Sequence, residues 1–332
     1  MTSSVLTIKN EFISVEISPT QGADIRKISR KDKAENLLLE TKWKGSQKLY
    51  CDCSRIDEDH FLSHYAGGWQ LMIPNAGFPS ESEFGRLGYH GEAWSSAWKV
   101  IKHETAKMYL EVYLKTAPIK IERKVEIRDQ TLEISDLVTN CSNGEIKFLW
   151  GHHPAFSNLL IDESTEVCVN ARSISSKINT TSPNFSDLPP YLVQNSESFY
   201  LKNFVSEPLS FLGFATNFKE GSAYIHNKNN NLLVNLFWDI EIFPHAWLWI
   251  ENKKISRKPW SKKVTTLAIE PSSTKTNLGL EDSLKLGGSF TSLKAKESVG
   301  ASIYLEVLTL ISKSEDVMME KSRKDSHYET SI

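Results

Sequence analysis

The sequence predicts an all-β protein, built as a large antiparallel β-sandwich. Apolar and polar residues alternate along Ile13–Ser18 and again along Met108–Leu114, with the period of a half-buried strand. The same strand character recurs in the runs IKIERKVEI, TLEISDLV, IKFLW, LLVNLFW, AWLWIE, TTLAIE and ASIYLEV. Turn residues such as Pro118 separate the runs, and helical periodicity is weak, with one short helix expected around Asp57–Tyr65. Many strands and few helices favour sheets that pack face to face.

We expect one domain over residues 1–311 and a polar, mobile tail over residues 312–332. Sandwich proteins often form long single units, and no change of composition divides the chain before the tail. The stretch Ser173–Ser198 is rich in Ser, Asn, Thr and Pro, which is typical of a long surface loop. The tail has few apolar residues to bury.

Charge and composition narrow the class of partner. Lys and Arg total 39 and Asp and Glu total 41, so the formal net charge of -2 offers no broad cationic surface for nucleic acid or an anionic membrane. The first residues lack the pattern of a signal peptide, and no apolar run is long enough to span a bilayer. The four cysteines suggest neither a disulfide framework nor a zinc site. We therefore expect a cytoplasmic protein with reduced thiols.

Three short segments carry side chains suited to acid–base chemistry. In TTLAIEPSS, Glu270 ends an apolar strand, where it lies either at the rim of a cavity, as a base whose pKa is raised, or exposed at the strand end. In WGHHPAF, His152 and His153 point to opposite faces of a strand, so at most one faces a given pocket and the other is a core or supporting residue. In GRLGYHGEAW, small neighbours let the backbone at His90 approach a ligand, although an ordinary surface loop fits equally well.

Further candidates for ligand binding lie in two other segments. AWLWIE places Trp247, Trp249 and Glu251 on one strand face, either as a platform for a sugar or as core. Gln70 and Asn75 are polar residues in the Gly-containing stretch GGWQLMIPNAG. The sequence contains no helix-borne His-x-x-x-His, cysteine pair or phosphate loop to support a metal or nucleotide site, so we expect no metal and no cofactor.

Taken in order, these segments resemble the aldose 1-epimerase (galactose mutarotase-like) family over about residues 5–310. HHPAF is similar to the family's His-x-x-Phe strand motif, which puts the catalytic histidine at His153. YHGEAW is similar to the element that supplies a sugar-contacting histidine, here His90, and LAIEPSS to the element with the catalytic carboxylate, here Glu270. The C-terminal run LKLGGSFTSLKAKESVGASIYLEV also resembles the family's ending. The family's fold, an extended antiparallel β-sandwich, agrees with the strand pattern.

The resemblance implies an isomerase that interconverts the α and β anomers of a free sugar. Glu270 would remove the proton of the C1 hydroxyl as general base, and His153 would protonate the ring oxygen as general acid. The ring opens, the aldehyde rotates, and closure on the other face reverses both proton transfers. The partner is a small-molecule sugar, and the oligomeric state stays open between a monomer and a homodimer.

The chain departs from the family in its sugar contacts. Gln70 and Asn75 stand in the segment where the family has a sugar-contacting arginine, and Arg86 is a candidate substitute. For the aspartate that contacts hydroxyls in galactose-acting members, the candidates are Asp239 and Glu251.

Two other functions fit the same residues. A hexose-6-phosphate mutarotase would need cations at the rim of its pocket, and the candidates are Arg86, Arg257, Lys258 and Lys262. A carbohydrate-binding protein without catalysis would use the indoles alone, and it would not need an acid and a base together.

Overall fold

The structure, a computed structural model, describes residues 5–41, 53–176, 188–257, 260–286 and 288–310. It confirms the predicted antiparallel β-sandwich. The strands in chain order are β1 (Leu6–Lys9), β2 (Ile13–Ser18), β3 (Asp24–Arg30), β4 (Trp69–Met72), β5 (Ser80–Ser82), β6 (Gly85–Leu87), β7 (Lys99–His103), β8 (Lys107–Tyr113), β9 (Ile119–Arg128), β10 (Thr131–Asn140), β11 (Ile146–Phe148), β12 (Gly151–Phe156), β13 (Thr165–Ser175), β14 (Leu192–Asn195), β15 (Ser198–Lys202), β16 (Leu209–Asn227), β17 (Leu232–Trp238), β18 (His245–Asn252), β19 (Thr265–Ser272), β20 (Thr291–Leu293) and β21 (Ser298–Thr309). The helices of the described residues are α1 (Glu58–His64), α2 (Leu280–Lys285) and two 3-10 turns, Cys53–Arg55 and Ala93–Ser95.

Antiparallel pairing arranges most strands in two layers. The front layer has the order β1-β2-β3-β4-β12-β19-β18. The back layer has the order β7-β8-β9-β10-β21-β17. The 19-residue strand β16 joins the layers, because its first part pairs with β18 and its last part with β17. Strand β13 follows the other edge of β16 and carries β15 and β14.

The main core lies between the layers and takes one face of each strand. In β19, Leu267 and Ile269 belong to this core, whereas Ala268 belongs to a separate apolar cluster on the other side of the front layer. Glu270 shares the side of Ala268, because side chains alternate along a strand. We call this outer side of the front layer the front face. Connecting segments cover it, including α1 and the described residues 253–257 and 260–264.

Helix α1 confirms the short helix predicted around Asp57–Tyr65. The Asp57 side chain caps the helix by accepting a hydrogen bond of 2.8 Å from the backbone N–H of His60. Phe61, Leu62 and Tyr65 belong to the same apolar cluster as Ala268, so the helix packs on the front face.

A buried polar chain crosses the core directly behind β12. The Trp69 indole N–H donates to His152 Nδ1 at 3.1 Å, and His152 Nε2 lies 3.4 Å from Asp136 Oδ2. Asp136 also forms two hydrogen bonds of 2.7 Å with the Arg123 guanidinium. Burial alone would raise the pKa of Asp136, but the Arg123 charge and hydrogen bonds outweigh it and lower the pKa to about 2. His152 is therefore a core residue that anchors β12 to the back layer.

The sequence also predicted one long surface loop and a mobile C-terminal tail. The predicted surface loop Ser173–Ser198 is wrong in part, because β13 continues to Ser175 and Leu192–Asn195 forms β14. Residues 177–187 of that stretch and the predicted tail, 312–332, lie outside the described residues. Within the described ranges, every helix is too short or too polar to cross a membrane.

Candidate active site

One row of side chains runs across five strands on the front face. Strand pairing sets Gln70 of β4 opposite His153 of β12, and Glu270 of β19 opposite Trp247 of β18. The register between β12 and β19 sets His153 opposite Glu270. On the other side of Gln70, β3 contributes Asp24, whose Oδ2 lies 3.4 Å from the Gln70 amide nitrogen. Residues opposite each other on paired strands share a face and are close neighbours, so these five side chains form one continuous row.

His153 and Glu270 are in contact at the centre of this row. His153 Nε2 lies 3.5 Å from Glu270 Oε1, and the two side chains are 8% and 2% exposed. Burial raises the pKa of Glu270 well above its usual range, and burial lowers the pKa of His153 to about 4. Both shifts favour the uncharged forms, a carboxylic acid beside a neutral imidazole.

The uncharged pair holds one titratable proton, that of the carboxylic acid, beside the single N–H that a neutral imidazole always keeps. A carboxylate beside an imidazolium contains the same number, and the two states differ only by transfer of the proton across the 3.5 Å contact between His153 and Glu270. Because two interacting groups titrate as a unit, the pair holds this single proton over a wide range of pH above about 4. The arrangement can therefore donate a proton and accept one at neighbouring positions.

His90 faces this pair from the loop before the Ala93–Ser95 turn. Its φ of 58° is unusual for a residue other than glycine, and its Nδ1 accepts a hydrogen bond of 3.1 Å from the backbone N–H of Gly77. The ring proton therefore lies on Nε2, and burial lowers the pKa of His90 well below its usual range. With its ring 5.7 Å from that of His153, His90 is a neutral hydrogen-bond donor at the site.

Aromatic side chains surround the acid–base pair. The Trp249 ring lies 5.6 Å from that of His153, and the Tyr65 ring lies 5.7 Å from it. Trp260 contacts both covering rings, at 5.4 Å from Trp249 and 6.0 Å from Tyr65. Flat amphipathic rings around polar groups are suited to the apolar faces of a sugar.

Several buried polar atoms on this face have no hydrogen-bond partner among the described residues. They are Asp24 Oδ1, Tyr65 Oη, Gln70 Oε1, His153 Nδ1 and Glu270 Oε2. Buried polar groups in native proteins are generally hydrogen-bonded, and leaving one without a partner is unfavourable. A ligand with several hydroxyl groups is suited to supply these partners.

The segments that cover the front face are also joined to each other. Arg257 forms ion pairs with Glu58 Oε1 at 3.1 Å and with Asp59 Oδ1 at 3.0 Å. These contacts tie α1 to the loop that carries Trp260. In this arrangement the pair of His153 and Glu270 is enclosed.

The structure places two other predicted residues near the front face but uses their polar groups elsewhere. Asn75 donates to the carbonyl oxygens of Phe78 and Gly88 and accepts from the N–H of Leu280, so it ties three loops together. Glu251 lies on the same strand face as Trp249, as the alternation predicts, and one carboxylate oxygen accepts from two backbone N–H groups, those of residues 254 and 255. Both residues shape the loops around the site.

Two predicted residues lie away from the pair. Arg86 is exposed on the β5–β6 hairpin, which forms its own two-stranded sheet. Asp239 follows β17 and lines a groove of about 1260 Å³ on the outer side of the back layer, together with Tyr109, Phe237 and Tyr304. That groove contains neither member of the acid–base pair.

Sequence reasoning missed four residues of the site: Asp24, Arg26, Tyr65 and Trp260. Arg26 lies two residues beyond Asp24 on β3, and its guanidinium is 3.5 Å from the Asp24 carboxylate. Two charged residues on one face of the strand-like run ADIRKI were a signal for a polar face. Tyr65 stood at the end of the predicted helix, but the pattern did not show which way its ring points.

No group of three or more His, Cys, Asp or Glu side chains in the described part of the chain is arranged to hold a metal ion.

Comparison with known proteins places this geometry in context. A family model described as a domain of unknown function, DUF4432, matches residues 1–307. No curated protein matches the chain. A protein of Synechocystis has a similar solved structure, with a TM-score of 0.69 and 14% identity over 93% of this chain and 97% of that chain.

Two lactobacillar structures are also similar. A galactose mutarotase related enzyme from Lactobacillus acidophilus has a TM-score of 0.66 and 16% identity, over 92% of this chain and 97% of that one. A galactose mutarotase-like protein from Lactobacillus casei has a TM-score of 0.66 and 17% identity, over 92% and 100%. At these identities the likeness shows the fold, which is galactose mutarotase-like.

Proposed function

The chain belongs to the DUF4432 family, and from its mutarotase-like fold and its buried acid–base pair we propose that it is an aldose 1-epimerase. The enzyme interconverts the α and β anomers of a sugar. The observation that carries this proposal is the contact between His153 and Glu270, set side by side in an enclosed aromatic site.

The reaction needs an acid and a base that act on two oxygens of the same carbon. The C1 hydroxyl must lose a proton while the ring oxygen gains one, and both oxygens are bonded to C1. Side chains opposite each other on paired strands, with Cβ atoms about 5 Å apart, suit two such closely spaced atoms. Glu270 is the base and His153 the acid in the state in which the imidazole holds the shared proton.

The remaining side chains bind the sugar rather than transfer protons. His90 donates a hydrogen bond from Nε2 to a sugar oxygen, because its Nδ1 is bonded to Gly77. Trp249 and Tyr65 stack against the ring, and the enclosure excludes water, which strengthens the polar interactions inside. Closure of the opened aldehyde on either face then gives both anomers without a metal or cofactor.

The test is an anomerisation assay across a panel of aldoses. Freshly dissolved α-D-glucose, α-D-galactose and α-D-xylose are followed by polarimetry with and without the protein. We expect the wild type to accelerate at least one of them, and Glu270→Gln to lower that rate by about two to four orders of magnitude.

The matched control is Glu306→Gln, which changes a carboxylate of the back layer that accepts a hydrogen bond from Asn235. It should keep the wild-type rate. A folded Glu270→Gln protein that remained as active as the control would contradict the assignment. Aldose binding without acceleration of any anomerisation would leave a carbohydrate-binding protein instead of an enzyme.

A further inference from the structure

We infer that Asp24, Gln70 and Arg26 form a hydroxyl-binding subsite beside the acid–base pair. This inference rests on the proposed function, which it extends from the reacting end of the sugar to the recognition of one of its other hydroxyl groups.

The three residues are part of the front face. Strand register sets Ile25 of β3 opposite Trp69 of β4, and these two side chains enter the core. Their neighbours Asp24 and Gln70 therefore share the front face, and they are in contact at 3.4 Å. Arg26 lies on the same side of β3 and is about a quarter exposed, whereas Asp24 and Gln70 are 1% and 3% exposed.

The orientation of the Gln70 amide follows from its partner. Its nitrogen must face the Asp24 carboxylate, because an amide oxygen there would be repelled. The amide oxygen is then turned away from Asp24, and it is buried without a partner among the described residues. Gln70 also lies opposite His153, so an acceptor for a sugar hydroxyl is available next to the catalytic pair.

The Tyr65 side chain lies at the reacting end of the site. Its ring is 5.7 Å from that of His153, and His153 lies opposite Gln70 on the paired strands, so the reacting end and the proposed subsite adjoin. Burial raises the pKa of Tyr65 well above its usual range, so its hydroxyl is protonated and can donate a hydrogen bond. Tyr65 Oη is itself buried without a partner in the described structure.

The subsite can pair with a hydroxyl group in both directions. A hydroxyl can donate to the Asp24 carboxyl group and accept from the Arg26 guanidinium, which face each other at 3.5 Å. Burial raises the pKa of Asp24 to about 7, so near neutral pH its carboxyl group accepts a hydrogen bond when ionised and donates one when protonated.

Of the cations considered for a sugar phosphate, one is paired, two are exposed and one is not described. Arg257 is paired with two carboxylates of α1, and Arg86 and Lys262 are exposed. Lys258 lies outside the described residues.

The test combines variants of the subsite with sugars that lack one hydroxyl. We expect Gln70→Leu and Arg26→Met each to raise KM for the preferred aldose by about 10-fold, with a smaller change in kcat, since hydrogen bonds made before and during the reaction are lost equally. The KM of the wild type should rise by the same factor when the aldose is replaced by one monodeoxy analogue. The KM of the variant should not rise further with that analogue. Matched controls are Arg30→Met, further along β3, and Gln194→Leu on β14, which should retain wild-type KM.

The results separate the subsite from the reaction. If the effect of each variant on KM is independent of the effect of every monodeoxy analogue, the subsite is overturned. If the wild type turns over no aldose, the proposed function fails, and calorimetric titration of the same sugars then decides the subsite. The subsite is supported if Gln70→Leu and the removal of one hydroxyl group weaken binding by amounts that are not additive. It is overturned if the two effects on the binding free energy add, or if no sugar binds.

Discussion

The adjacent histidines of β12 allow one substitution to be made on each side of the same strand. We expect His152→Asn to destabilise the protein with little loss of activity, and His153→Asn to do the reverse. His152 is 2% exposed and contacts Trp69 at 3.1 Å and Asp136 at 3.4 Å. An asparagine still offers an oxygen to Trp69 but does not reach Asp136, which keeps its two bonds to Arg123.

The expected cost follows from that geometry. Loss of one hydrogen bond to a buried carboxylate corresponds to about 1–3 kcal/mol of unfolding free energy. Since 1 kcal/mol shifts the melting temperature by about 2–4 °C in domains of 150–250 residues and by less in longer ones, we expect Tm to fall by about 2–6 °C. His153→Asn removes one contact of 3.5 Å and leaves the core unchanged, so Tm should move little while the rate falls by about two to four orders of magnitude.

Thermal melts monitored by circular dichroism, beside polarimetric rates for the same preparations, decide between the two roles. A stable but inactive His152→Asn protein, together with an active His153→Asn protein, would refute the assignment of faces and with it the proposed acid.

Four further predictions concern the pH dependence of the rate, the effect of a chelator, stability at low pH and sugar binding. The anomerisation rate should fall below about pH 4, because the pair then takes up a second titratable proton on His153. It should fall again at high pH, because the pair then loses the titratable proton that the raised pKa of Glu270 retains. Rate measurements across pH will show both limits. A chelator such as EDTA should leave the rate unchanged, and a loss restored by added metal would contradict this. The pKa of Asp136 is lowered from 3.8 to about 2, which should contribute about 2 kcal/mol to the free energy of unfolding. This contribution is present above pH 4 and is lost as the pH falls towards 2. Urea unfolding at a series of pH values should show it in the wild type and not in Asp136→Asn. Aldose should change the intrinsic fluorescence of the wild type, and Trp249→Phe should reduce that change.

The parts of the fold that sequence predicted are those that depend on local pattern. Alternation along β12 and β19 assigned His152 and His153 to opposite faces, and it put Glu270 on the side of Ala268. The short helix predicted around Asp57–Tyr65 is likewise local, because its cap and its apolar residues lie within one stretch of the chain.

The parts that sequence did not predict depend on contacts between distant segments. Asp24 and Arg26 join the site only because β3 pairs with β4, and no local pattern states which strands will be neighbours. Glu251 was placed correctly on its strand face, but whether its carboxylate faces a ligand or a backbone turn depends on the path of residues 253–256. Arg86 was considered as the substitute for the family's arginine, whereas the guanidinium beside Asp24 on the front face is that of Arg26.

The row on the front face also makes catalytic activity a measure of folding. Its members, Asp24, Gln70, His153, Trp247 and Glu270, belong to five strands that are far apart in the chain. Pairing between distant segments is slow, because each requires closure of a long loop before any contact forms. Turnover therefore requires every pairing from β3 to β18 to be complete. After dilution from denaturant, recovery of activity should lag behind recovery of strand signal in the far ultraviolet, and the length of that lag measures the last step of sheet assembly.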